Sequence, residues 1–188
     1  MEYESTCAGC RRSQGLDAVP GGIAKLPGDW VVNQYWGSEG FLGWLALQPR
    51  FHRMSLSELT EDEARSLGPN VQDLDAALKR YWSHQFPRDP VERVYMVYMF
   101  EAEFAEPQPK PEDKFHLHVH VIPRTKELGQ YGRLRFTKCG ITWNDGWHMP
   151  RMREHGVIPE PYQLVPNNRV ARATSLMDYV RHELAIKP

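Results

Sequence analysis

The feature that most constrains this fold is a run of three histidines at alternate positions, with apolar residues between them. The run lies in residues 115–124, which read FHLHVHVIPR. Alternation of this kind predicts a β-strand, because successive side chains of a strand point to opposite faces of the sheet. One face would pack in a core and carries Leu117, Val119 and Val121. The other face presents three imidazoles, those of His116, His118 and His120.

This histidine face has three interpretations. It can be the solvent face of an edge strand, although such positions usually mix Thr, Lys, Glu and Ser rather than repeat His. It can be a metal site, in which two of the imidazoles bind one ion more readily than all three, because side chains along one strand face are nearly collinear. It can also be a catalytic site, since histidine serves as a proton shuttle or nucleophile near neutral pH.

Length and composition indicate one globular domain, or one domain with an extension. The chain has 188 residues, of which 41% are hydrophobic and 25% charged, and its formal net charge is -1. A charge this close to zero predicts no general attraction to nucleic acid or to a membrane. The sequence shows no apolar run of membrane-spanning length, no signal-peptide pattern, and too few cysteines for a disulfide framework. We therefore expect a cytoplasmic protein.

The first half of the chain predicts a hairpin followed by a long helix. Residues 30–36 and 41–48 are rich in β-branched and aromatic residues and indicate two paired strands, after a turn-rich stretch. Residues 57–86 have apolar residues at helical spacing, behind a Thr-x-x-Glu capping box that begins at Thr60. A Gly-Pro pair at Pro69 should kink or split this helix.

The second half adds strands and ends in a helix. Residues 91–104 predict a strand, which a proline-rich loop at 105–114 joins to the histidine strand. Residues 173–186 predict a short helix. Because strands and helices do not alternate as βαβ units, the predicted class is α+β. We expect an antiparallel sheet of about five strands, one long helix on a face, and a C-terminal extension.

A Cys-x-x-Cys pair near the N-terminus indicates a metal clip or a redox pair. A redox pair usually opens a helix directly after a strand, and no strand precedes Cys7 and Cys10. Two thiolates leave a zinc ion two ligands short of a tetrahedron, and histidine is the natural completion. His52 follows the hairpin and, taken alone, is an ordinary loop histidine. Cys139 is expected to be an idle or buried thiol.

The histidine run resembles the signature of the histidine triad (HIT) family, which is His, apolar, His, apolar, His, apolar, apolar. Residues 116–122 match it at every position. The resemblance extends to a Pro-x-x-His sequence at the end of the hairpin, from Pro49 to His52, and to a glycine six residues earlier, Gly43. It covers approximately residues 7–124.

The resemblance implies a nucleotide-binding domain over residues 1–125 and an extension of unknown role over 126–188. Family members hydrolyse or transfer a nucleotidyl group at the α-phosphate, and they usually form homodimers. The middle histidine is their nucleophile, so His118 would form a covalent nucleotidyl-imidazole intermediate, and His120 would donate to phosphate oxygens. Candidate substrates are dinucleoside polyphosphates, nucleoside phosphoramidates and nucleotide sugars.

The resemblance also implies two sets of ligands. In several bacterial members, and in the related galactose-phosphate uridylyltransferases, an N-terminal Cys-x-x-Cys and two histidines bind a structural zinc. Carried over, the zinc ligands are Cys7, Cys10, His52 and His116. The corresponding ribose-binding residue is Asn33. Apart from the resemblance, Lys114 is a candidate cation at the phosphates because it lies two residues before His116, and Arg124 either binds phosphate oxygens in a bidentate way or is a surface residue.

One departure from the family pattern keeps other functions open. Members often carry Gln-Ser or Gln-Thr shortly before the first histidine, where they assist the leaving group, and this chain has Glu112, Asp113 and Lys114 there. The alternative function is therefore a nucleotide-binding protein with little catalysis. A third candidate is a metal-dependent hydrolase in which the histidine run binds a catalytic ion.

Overall fold

The structure is a computed structural model, and it describes residues 3–35, 40–98, 115–130, 158, 162–165 and 167–185. The predicted loop at 105–114 and Cys139 lie outside this part of the chain. In chain order, the helices and strands are α1 (Ala8–Ser13), β1 (Ile23–Leu26), β2 (Trp30–Gln34), β3 (Gly40–Phe41), β4 (Leu45–Pro49), α2 (Glu61–Gln85), β5 (Val91–Tyr98), β6 (Val119–Thr125), β7 (Gln163–Leu164) and α3 (Arg169–Ala185). Among the described residues, no helix combines the length and the apolar character that a membrane crossing needs.

Five strands form one antiparallel sheet in the order β1-β2-β4-β6-β5. This confirms the predicted α+β class with a five-stranded antiparallel sheet. The predicted hairpin is β2 with β4, in the register that pairs Asn33 with Ala46. Ala46 pairs in turn with His120 on β6. Because paired residues on neighbouring strands share a face, these three side chains form one row across the sheet.

The long helix α2 packs against the sheet and begins at the predicted capping box. Thr60 Oγ1 accepts a hydrogen bond from the Glu63 amide at 3.2 Å, and the Glu63 carboxylate accepts one from the Thr60 amide at 2.7 Å. Of the predicted kink or split at Pro69, the split does not occur, since α2 is continuous through this residue. Contacts beside the proline hold the helix: Asn70 Nδ2 donates to Pro27 O at 3.0 Å, and Leu74 is fully buried in the core.

Two parts of the predicted hairpin region are corrected. The turn-rich stretch contains a strand, β1, which pairs along its whole length with β2. The predicted strand 41–48 is two strands: β4 pairs with β2, whereas β3 pairs with β7 near the C-terminus. Between them Gly43 has a φ of 84°, and a Cβ there would lie 2.5 Å from the Trp82 ring. The close approach of Gly43 to Trp82 of α2 therefore interrupts a strand that the sequence pattern predicts to be continuous.

The described C-terminal residues belong to the same core as the sheet. α3 extends the predicted 173–186 helix by four residues at its N-terminus and packs beside α2 and β1. Leu176, Met177 and Val180 are fully buried in that core. Arg181 Nη1 donates to Gly21 O at 2.9 Å, which ties α3 to the turn before β1.

The histidine strand is shorter than predicted at its start. The ladder of β6 begins at Val119 rather than at residue 115. Ahead of it, the Leu117 amide donates to Arg53 O at 2.7 Å, so this part of the chain is bonded to the loop after β4. The loop carries His52, and the bond brings it beside His116.

Candidate functional site

Four side chains from three separate segments meet at the N-terminal end of the histidine run. The ligand atoms of Cys7, Cys10, His52 and His116 all lie within 4.8 Å of one another. Cys7 caps α1, which places Cys10 one turn later on the same side. Both cysteines and His116 are buried. The structure thus brings together all four residues of the predicted zinc set, and this cluster can bind a metal ion.

The distances within the cluster suit a tetrahedral ion. Cys7 Sγ lies 3.3 Å from His116 Nδ1, and Cys10 Sγ lies 3.5 Å from the Nδ1 atoms of both His52 and His116. Zinc bonds of roughly 2.3 Å to sulfur and 2.0 Å to nitrogen at tetrahedral angles would separate such ligand atoms by about 3.5 Å. A Cys₂His₂ set is also the donor chemistry that zinc prefers.

Surrounding backbone orients the ligands. His116 Nε2 donates to Pro49 O at 2.9 Å, so Nδ1 carries the lone pair that faces the thiols. The backbone of Gly9 lies against this ring, so closely that a Cβ on Gly9 would be 2.3 Å from His116 Cγ. Gln48 Nε2 donates to Gly9 O at 3.0 Å and fixes the cysteine turn to β4.

Burial favours neutral ligands in the absence of an ion. It lowers the pKa of His116 to about 4 and raises the pKa of the Cys10 thiol to about 11. A divalent cation reverses this preference for the thiols, since coordination removes their protons. Metal binding here would therefore release a proton from Cys10 and none from His116.

His118 is a neutral imidazole in which one ring nitrogen is used in a hydrogen bond to the backbone. Its Nδ1 donates to His116 O at 2.8 Å, which leaves the lone pair on Nε2. The pKa of His118 is lowered, chiefly by burial, while the hydrogen bond to the His116 carbonyl opposes the shift and the Arg12 charge adds to it. The ring stacks near Tyr35, with centroids 6.4 Å apart. A neutral ring of this tautomer is a nitrogen nucleophile.

His120 has the opposite tautomer. The indole nitrogen of Trp44 donates to His120 Nδ1 at 2.9 Å, and an indole N–H cannot accept. In the neutral ring the proton therefore sits on Nε2, which can donate. The His118 and His120 rings lie edge to face, with centroids 4.7 Å apart. The pair thus offers one acceptor nitrogen and one donor nitrogen side by side.

A pocket of about 170 Å³ opens over His118, and we call it the histidine pocket. Its walls are the first turn of α1 together with Arg12, Tyr35, Ala46, Gln48, His116 and His118. Typical sites for small organic ligands have volumes of roughly 300 Å³ or more. The part formed by described residues therefore fits a phosphate group and its neighbours better than a whole nucleotide.

Sequence reasoning missed Arg12, Tyr35 and Gln48. The sequence shows only that Arg12 follows the Cys-x-x-Cys pair and that Tyr35 and Gln48 lie in the hairpin, and neither position by itself predicts a residue of a binding site. Arg12 reaches the pocket because α1 folds back over the sheet, with Ser13 Oγ donating to Arg50 O at 2.8 Å.

The three predicted nucleotide-binding residues do not meet in the described pocket. Asn33 is buried in the row that it forms with Ala46 and His120 across the sheet. Its Nδ2 donates to Gln34 O at 2.8 Å, while its Oδ1 has no hydrogen-bond partner among the described residues. Arg124 lies further along β6, 3.6 Å from the Glu92 carboxylate. Lys114 lies outside the described residues.

Comparisons with known proteins give distant likenesses. No protein-family model matches the chain, and no curated protein matches it. A crystal structure of a HIT family protein from Bacillus anthracis str. 'Ames Ancestor' is 16% identical, covering 66% of this chain and 77% of that one, with a TM-score of 0.45. A member of the HIT family from Bacillus subtilis is 16% identical, covering 64% and 74%, with a TM-score of 0.42.

Proposed function

We propose that this protein is a nucleotidyl hydrolase or transferase that acts at the α-phosphate through a covalent intermediate on His118. The observation that carries the proposal is the 2.8 Å hydrogen bond from His118 Nδ1 to His116 O. This bond fixes the tautomer and directs the Nε2 lone pair away from the backbone. The match of residues 116–122 to the histidine triad signature supports the same role.

The chemistry takes two steps. In the first, the Nε2 lone pair of His118 attacks the α-phosphorus, a phosphorus–nitrogen bond forms, and the bond from phosphorus to the leaving group breaks. The leaving group departs with the electron pair and takes up a proton from solvent. In the second, water or an acceptor hydroxyl attacks the same phosphorus, loses its proton to solvent, and displaces the imidazole as a neutral ring. His120, whose Nε2 carries a proton, donates to a phosphate oxygen as negative charge develops.

We propose zinc as the ion of the Cys7, Cys10, His52 and His116 cluster, with a structural role. All four donor atoms are protein ligands, so the coordination is closed and leaves no position for a substrate. The ion would anchor the N-terminal segment to the histidine strand. This assignment also disfavours a catalytic metal on the histidine run, because His116 is already committed.

We also propose that residues 1–125 carry the nucleotide site, that 126–188 is an extension, and that the protein is a homodimer. The described C-terminal residues pack on the core and contribute no wall to the histidine pocket. Light scattering that gives twice the mass of one chain would support the dimer, and the mass of a monomer would contradict it.

Mass spectrometry of the intact protein tests the covalent mechanism. The metal-loaded chain is mixed with diadenosine tetraphosphate, adenosine phosphoramidate or a nucleotide sugar and quenched within seconds. An added mass of one nucleotidyl group, coupled to turnover, is expected for wild type and absent for His118→Ala. Tight nucleotide binding with neither adduct nor turnover would instead support the alternative, a nucleotide-binding protein, which the Glu112-Asp113-Lys114 departure motivates.

A further inference from the structure

Resting on the function proposed above, we infer that Arg12 is the cation that binds the phosphate group of a nucleotide in the histidine pocket. Arg12 lines the same pocket as His118 and is half-buried there. A guanidinium offers a planar fork of donors that matches two phosphate oxygens. The substrate class is therefore an anionic phosphate ester or amide, recognised through its charge.

The pocket has the charge pattern of an anion site. Its polar walls are Arg12, Tyr35, Gln48 and the two histidines, and no carboxylate lines it among the described residues. Arg12 and the proposed nucleophile His118 line this one pocket. A phosphate placed between the two would be bound by the guanidinium and faced by the imidazole.

The neighbouring residue on α1, Arg11, differs from Arg12 because it forms an ion pair within the N-terminal segment. Arg11 Nη2 lies 2.6 Å from the Asp17 carboxylate, and its side chain is 44% exposed. Arg12 makes no ion pair or side-chain hydrogen bond with any described residue. Arg11 and Arg12 are consecutive residues of α1, so a step of roughly 100° around the helix separates a charge paired with Asp17 from a charge that lines the pocket.

The position of Arg12 is fixed from two sides. Gln48 Nε2 and Ser13 Oγ bond the ends of α1 to β4 and to Arg50, and the cysteines place the helix against His116. Because His116 is two residues from His118, the segment that binds the metal also sets the distance from Arg12 to the nucleophile. Preorganised charge of this kind binds more tightly than a side chain that must be ordered first.

Calorimetric titration with the four common nucleoside 5'-monophosphates and their four nucleosides tests this assignment. The full-length, metal-loaded chain is compared with Arg12→Gln, Arg12→Lys and the matched control Arg11→Gln, and metal content is measured for each. We expect Arg12→Gln to bind the preferred monophosphate about ten- to a hundredfold more weakly, with its nucleoside affinity unchanged. Arg12→Lys should recover part of the loss, and Arg11→Gln should match wild type.

The outcomes separate this inference from the function on which it rests. Unchanged monophosphate affinity in Arg12→Gln, with the His118 adduct still forming, would overturn the role of Arg12 and leave the proposed function intact. Equal losses for monophosphate and nucleoside would also overturn it, because they indicate a change of shape rather than of charge. No adduct and no nucleotide binding in wild type would reject both.

Discussion

The Cys₂His₂ cluster and the histidine pocket share one short segment of chain, yet the histidines of the two regions are hydrogen-bonded in opposite ways. His116 has both ring nitrogens committed, Nδ1 to the thiols and Nε2 to Pro49 O. His118 has Nδ1 bonded to His116 O, and no described residue is hydrogen-bonded to its Nε2. The first ring suits the proposed role of metal ligand, because neither of its nitrogens is left for a reaction. The second suits the proposed role of nucleophile, because one nitrogen holds the ring while the ring itself lines a pocket.

The two regions also differ in how they tolerate charge. Burial favours the neutral forms of Cys10 and His116, and a bound cation would convert the Cys10 thiol to a thiolate. The pocket already contains a cation, Arg12, and so favours an anion. Substitutions that affect one region and spare the other can therefore test whether the two regions have separate roles.

The largest effect is expected for His118→Ala. Loss of the nucleophile should lower kcat by about a thousandfold or more, because the group acts in the transition state, while nucleotide affinity changes little. Steady-state turnover and calorimetry on the same preparation measure both quantities. The metal content should remain that of wild type, and retained turnover would reject the covalent mechanism.

The next effect concerns the cluster. Cys7→Ser should remove the metal and lower the free energy of unfolding by about 3 kcal/mol or more, because metal binding contributes to folding. Metal analysis and denaturant titration check this, with Cys139→Ser as the control that should keep its metal. A Cys7→Ser protein of unchanged stability and metal content would show that the four residues are not a metal centre.

A smaller effect is expected for Gly9→Ala. The added Cβ would lie 2.3 Å from His116 Cγ, so the ring or the cysteine turn must shift. Overpacking of this kind should cost about 2 kcal/mol and weaken metal binding. Gly68→Ala is the matched helical control, because a Cβ there meets nothing within 4 Å, and it should be neutral or stabilising. Equal stability of the two variants would contradict the close approach of α1 to His116.

The smallest effect sharpens the role of His120. Trp44→Phe removes the indole donor that fixes its tautomer and should lower kcat by about five- to tenfold with bound metal unchanged. Trp30→Phe is the control: its indole donates to Glu63 O at 2.9 Å on the core side, so stability should fall and kcat should not. Identical kinetic losses in the two variants would show that Trp44 acts only through packing.

Sequence alone predicted the parts of this fold that depend on local pattern. Spacing or family resemblance predicts the capping box at Thr60, the β2–β4 pairing and the meeting of the two cysteines with two histidines. The structure contains each of them. What sequence missed depends on tertiary contacts. Gly43 interrupts a strand because of Trp82, and Arg12 enters the pocket because α1 folds over β4.

The most direct test of the central claim is to map the nucleotidyl adduct to a single histidine. Wild-type protein is quenched at alkaline pH during turnover, since the phosphorus–nitrogen bond to imidazole is labile in acid, and the peptide that contains residues 115–124 is sequenced by tandem mass spectrometry. The added mass should lie on His118, with His116 and His120 unmodified. An adduct on His116 or His120, or turnover without any adduct on this peptide, would contradict the division of roles between the two neighbouring histidines.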